Sequence, residues 1–69
     1  MVKIAHIEKF VKDNPERFPG ERGKEVLASA HSFGQDPITS LNAKEVLGSD
    51  SEALFRLIIT DPYYVRLCF

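Results

Sequence analysis

The groups able to do chemistry in this sequence are few and dispersed. The sole thiol, Cys68, stands next to the last residue. A reactive cysteine needs an electropositive pocket with a base in reach, and the end of a chain is seldom held so firmly. Cys68 therefore reads as a small apolar packing residue. Ser29, His31 and Ser32 crowd one stretch, but residues one or two apart on a helix diverge and cannot form a relay. His6 and His31 each border an apolar stripe and read as structural or exposed histidines rather than ligands. Two histidines and one cysteine are too few, and too badly spaced, for a structural zinc site. Glu8, Asp13, Glu16, Glu21 and Glu25 read as a solvated surface. No acid, base and nucleophile converge. The sequence assigns no catalytic residue, no cofactor and no metal, and the chain reads as a non-enzyme.

Two motifs invite a nucleic-acid reading. Residues 42–47, the Gly48-Ser49 pair and residues 50–60 have the layout of a helix-turn-helix, with Ala43, Leu47, Leu54 and Leu57 at apolar positions. Lys44, however, falls where such a motif wants a small residue. The first residues of the would-be recognition helix are Asp50, Ser51 and Glu52, and acidic groups there repel a polyanion. A DNA-binding regulator using residues 42–60 is thus the alternative reading, and a plain helical hairpin the preferred one. Gly20-Glu21-Arg22-Gly23 matches the GXXG loop that clamps an RNA backbone. Glu21 spoils its charge, and a turn leading into a helix explains it better. Gly23-Lys24 is no phosphate loop, because Glu25 follows where a hydroxyl must hold magnesium.

Composition narrows the field further. The 69 residues are 43% apolar and 28% charged, which is the balance of a folded globule. Net charge is −1. Residues 1–24 carry six basic and four acidic side chains, and residues 25–69 carry three and six. Neither part makes the basic face of a nucleic-acid binder. Lys9, Lys12, Arg17, Arg22 and Lys24 give the first part a mixed-charge face that is a second possible contact surface. The opening stretch is broken by charges too often for a secretory signal, and no apolar run approaches membrane length. A lone cysteine fits a reducing interior, so a cytoplasmic location is expected.

The elements that must position these groups are short. Breakers fall at Asn14-Pro15, Pro19-Gly20, Gly23, Gly34, Asp36-Pro37, Gly48 and Asp61-Pro62, leaving helix-length gaps within one domain over residues 1–69. Ile4, Ile7, Phe10 and Val11 predict an amphipathic helix that ends before Pro15. Phe18 is expected to plug the following polar loop into the core. Val26, Leu27, Ala30 and Phe33 predict a second helix over about 21–33, with Gly34 as its left-handed terminator. Asn42 and Glu45 have capping-box spacing, and Leu41 and Val46 stand as a hydrophobic staple, predicting a helix over 43–47. Ser49 and Glu52 repeat the spacing before a fourth helix, whose stripe is Ala53, Leu54, Leu57 and Ile58, widened by Phe55 and Ile59. Asp61 as cap with Pro62 at the first position predicts a fifth helix. The alternation of Tyr63, Val65, Leu67 and Phe69 would instead suit a strand paired across a dimer. The fold expected is all-α, four or five short helices in one domain, with an α+β variant if that end is extended.

Residues 54–69 hold eleven of the thirty apolar residues and four of the seven aromatics. So much apolar surface must be covered by the chain's own core or by another chain. A chain this short buries only about 60% of its unfolded surface, and without disulfide or metal a second subunit is the remaining support. Adjacent Tyr63 and Tyr64 cannot both face one core. Tyrosine and arginine are also the types that dominate interface hot spots. The expected interface centres on Tyr63, Tyr64, Val65, Leu67 and Phe69, with Arg56 and Arg66 at its rim. The function expected is a small non-catalytic regulator or inhibitor acting on another protein, as a homodimer. The short chain, opening at methionine, suits a prokaryotic or phage accessory protein that blocks a host protein.

Overall fold

The first apolar stripe becomes α1 (Ile4–Asp13), with Ile4, Ile7 and Phe10 on its buried face. The structure, a computed structural model, describes residues 2–67. Four further helices follow: α2 (Arg22–Ser32), α3 (Ser40–Leu47), α4 (Asp50–Thr60) and α5 (Pro62–Arg66). The fold is all-α, with five short helices among the described residues. Helices of 5 to 11 residues are unstable alone, so their stability must come from the shared core.

That core draws on every helix: Ile4, Ile7 and Phe10 from α1, Val26 and Ala30 from α2, Ala43, Val46 and Leu47 from α3, Leu54 from α4 and Tyr64 from α5. Phe18 enters it from the α1–α2 loop, edge-on to Phe10 with ring centroids 5.8 Å apart. Gly23 is buried where α2 crosses α1; a Cβ there would lie 2.7 Å from Val11 Cγ1. This glycine of the GXXG sequence is therefore a packing residue. The φ of +67° at Gly34, which follows the Phe33 C-cap, is the left-handed conformation expected of a helix terminator.

The chain before α1 makes a contact that local pattern does not reveal. Val2 and Ile38 exchange two backbone hydrogen bonds of 2.9 and 2.8 Å, an isolated antiparallel bridge. Both side chains are buried. Next to this bridge the Ile4 backbone N–H donates to Asp36 Oδ1 at 3.0 Å. Asp36 thus satisfies an orphan donor of α1 from 32 residues away, with its charge at the favourable end of the helix dipole. Asp36→Ala should cost about 1 kcal/mol, lowering the melting temperature by about 4–8 °C for a domain of this size. A calorimetric transition unchanged from wild type would contradict that role.

Four sequence expectations require correction here. α3 starts at Ser40 rather than Ala43, because Thr39, not Asn42, is its cap: Thr39 Oγ1 accepts from the Asn42 backbone N–H at 3.2 Å. The earlier start places Leu41 in the first turn, 74% exposed, so it forms no buried staple with Val46. Ser49 makes no side-chain cap to α4. The junction is closed instead by Gly48, at φ +63°, whose carbonyl accepts from both the backbone N–H (3.1 Å) and the hydroxyl (2.8 Å) of buried Ser51. Ile59, expected to widen the buried stripe of α4, is 77% exposed.

Candidate functional site

The turn between α4 and α5 sets the geometry of the carboxyl-terminal surface. Asp61 is extended (φ −89°, ψ 122°), and its carboxylate accepts from the Tyr63 backbone N–H at 2.9 Å. Pro62 occupies the first helical position, where its missing N–H costs nothing. This cap decides which tyrosine goes where. Tyr64 turns inward and is 3% exposed, while Tyr63 turns outward and is 66% exposed. The expectation that Tyr64 lies in an interface is therefore corrected: its ring belongs to the protomer's own core.

Tyr64 joins α5 to α1 at two points. Its backbone carbonyl accepts from His6 Nε2 at 2.9 Å, and its hydroxyl donates to Asp13 Oδ2 at 3.1 Å. The His6 and Tyr64 rings are near parallel, 14° apart, with centroids 6.4 Å apart. Lys9 pairs with Asp13 at 3.1 Å, and its ammonium stands 5.4 Å from the Tyr64 ring centroid and 5.6 Å from that of Tyr63. Both distances are within cation–π range.

His6 is fully buried at 0% exposure. Its Nδ1 accepts from the Lys3 backbone N–H at 3.0 Å, as the third-position side chain does in a capping box. Since Nδ1 accepts, Nε2 carries the proton and donates to Tyr64. Burial pushes the imidazole below its ordinary value; the Tyr64 carbonyl opposes this and the Lys3 charge adds to it. Burial also raises the Tyr64 phenol to about 12, with the Asp13 carboxylate adding to the rise. Asp13 is held below the usual carboxylate range, first by its hydrogen bond to Lys9. These groups are mutually engaged, so the arrangement is structural: neither nitrogen of His6 faces solvent or a nucleophile. His31 lies apart and exposed on α2. Among the described residues, no group of three His, Cys, Asp or Glu side chains could hold a metal ion.

The remaining residues expected at the interface are placed as follows. Val65 and Leu67 are half-buried, and Arg66 and Arg56 are exposed. Arg56 lines a groove of about 520 Å³ with Asn14, Arg17, Glu52 and Leu57. Phe69 and Cys68 lie outside the described residues. Ile59 is the surface residue that periodicity missed. With Val2, Ser40, Phe55 and Ile58 it lines a small recess of about 140 Å³. Its position four residues before Tyr63 was the available signal, because both flank the Asp61-Pro62 break.

No family model matches this chain, and no curated protein or solved structure is significantly similar to it. No described helix is long and apolar enough to cross a membrane.

Proposed function

We propose that this protein is a small non-catalytic regulator or inhibitor that acts through contact with another protein, as a cytoplasmic homodimer. The observation that carries the reading is the exposure of Ile59 and Tyr63 on either side of the α4–α5 turn. Half-buried Phe55 and Ile58 precede them, and half-buried Val65 and Leu67 follow. Large apolar side chains grouped in this way mark a contact surface, and a solvent-facing tyrosine is a favoured anchor for one. Arg66 supplies a charged rim. The kind of protein this describes is an accessory factor of a prokaryote or phage that blocks a host protein by covering its surface.

The α3–α4 hairpin supports this reading over DNA binding. The first turn of α4 carries Asp50 and Glu52, and Arg17 beside it is paired with Asp50 at 2.9 Å. That leaves the amino end of α4 poorly suited to phosphate.

Sedimentation equilibrium at micromolar concentration tests the surface. The wild type should dimerise, and the double variant Ile59→Asp, Tyr63→Asp should weaken dimerisation by at least about 30-fold, the effect of losing about 2 kcal/mol at a hot spot. Its melting temperature under monomeric conditions should match that of the wild-type monomer. A wild type that stays monomeric throughout this range would defeat the homodimer.

A further inference from the structure

We propose that His6 is a proton-operated latch: when its ring takes up a second proton, the equilibrium of α5 shifts from docked on α1 towards detached. Two hydrogen bonds of the ring fix its tautomer. Nε2 donates to the Tyr64 carbonyl and Nδ1 accepts from the Lys3 N–H, so the docked arrangement requires a neutral ring with the proton on Nε2. A proton on Nδ1 would point one N–H at another across 3.0 Å. It would also place a cation where the ring has no exposed surface.

One partner must then move, and the surroundings of Lys3 select which. The residue before it, Val2, is held by the two bonds to Ile38. The residue after it, Ile4, is held by Asp36. The backbone at Lys3 is thus fixed on both sides. The imidazole must leave instead, and in leaving it gives up the Tyr64 carbonyl. α5 is the shortest helix, at 5 residues, and this bond ties it to α1, as does that of Tyr64 to Asp13.

The charges around the ring do not rescue the protonated form. From the chain before α1 come Lys3 and the amino-terminal charge, both disfavouring a second positive charge. From the α2–α3 connection comes Asp36, whose charge favours protonation but ranks last among the influences on His6 and whose Oδ1 is engaged with Ile4. From α5 comes Tyr64 itself, whose far end meets Asp13 and Lys9. Burial is the largest single influence, and the net effect holds the imidazole below its ordinary value. Neutral imidazole is therefore the form the docked state prefers, and detachment lets the ring regain the affinity for protons it has in water.

The latch does not depend on the proposed partner or on dimerisation, because it is read on α5 in the isolated chain. The experiment is amide hydrogen exchange by NMR on the full protein between pH 8 and 5, kept dilute and expressed as protection relative to unstructured peptide. The ring proton signals of His6 are followed in the same samples. Protection across Tyr63–Arg66 should fall by up to tenfold per pH unit below about pH 6.5, the ordinary imidazole value. Protection within α2 should fall less steeply. His6→Gln, which can still donate an N–H to Tyr64 but cannot titrate, should abolish the dependence. A ring that titrates while α5 stays protected overturns the latch, as does an equal loss of protection in α2, or a His6→Gln variant that keeps the slope. If that variant does not fold, the wild-type comparison of ring titration with α5 protection decides alone.

Discussion

Phe10→Ala is expected to leave most of the protein unfolded at room temperature. The side chain is buried, and it contacts Phe18 edge-to-face at 5.8 Å, a geometry that adds to the burial of both rings. Removing a buried phenylalanine costs about 3–5 kcal/mol through lost transfer energy and the cavity left behind. A single core in a chain of this length supplies about the same amount in total. The loop anchored by Phe18 is weakened together with α1, because the two rings hold each other. Phe10→Leu, which keeps most of the volume, should still fold with a lower melting temperature. Circular dichroism at 222 nm during heating is sufficient to check both variants. A cooperative Phe10→Ala transition near the wild-type temperature would show that the core does not depend on this pair.

How much of this architecture can be read from the sequence depends on how local each interaction is. Ile4, Ile7 and Phe10 announce α1 because a helix repeats within one turn or two. Gly34 and Asp61-Pro62 announce helix ends because their conformational preferences are intrinsic. Thr39 and Asn42 were both competent caps. What favoured Thr39 was the bridge that holds the preceding residue, Ile38, against Val2, so that the chain enters α3 directly. That contact spans about half of the chain and leaves no trace in a short window. Asp36 capping Ile4, and His6 meeting Tyr64 across 58 residues, are illegible for the same reason. His6 was recognisable as a residue at the edge of a stripe, but not as the link between the first helix and the last. The surface shows the opposite error. The staple pattern assigned Leu41 to the interior and periodicity assigned Ile59, because both count apolar residues without knowing how many neighbours a small fold has left to cover them.

The two adjacent tyrosines separate the core from the contact surface more sharply than any other pair, and their alanine variants should fail in different ways. Tyr64→Ala removes a ring that is 3% exposed and should cost about 3–5 kcal/mol, as for other buried aromatics. It should undock α5 and lower the melting temperature at any concentration. Tyr63→Ala removes a ring that is 66% exposed. It should change monomer stability by less than about 0.5 kcal/mol while weakening self-association. Tyr64→Phe refines the comparison. It keeps the ring and loses the hydroxyl bond to Asp13, whose carboxylate can regain water, so the cost should stay near 1 kcal/mol at neutral pH. The alkaline limb should change as well. Because the fold raises the Tyr64 phenol from 10.0 to about 12, the folded chain holds that proton more tightly than the unfolded one. Its contribution is complete below pH 10 and is lost as pH rises from 10 towards 12. Tyr64→Phe should lack this decline, and a wild type and variant with parallel stability profiles above pH 10 would rule it out. If Tyr64→Ala instead left a stable monomer and abolished only association, the ring would belong to the interface, and the division of labour imposed by the Asp61 cap would be wrong.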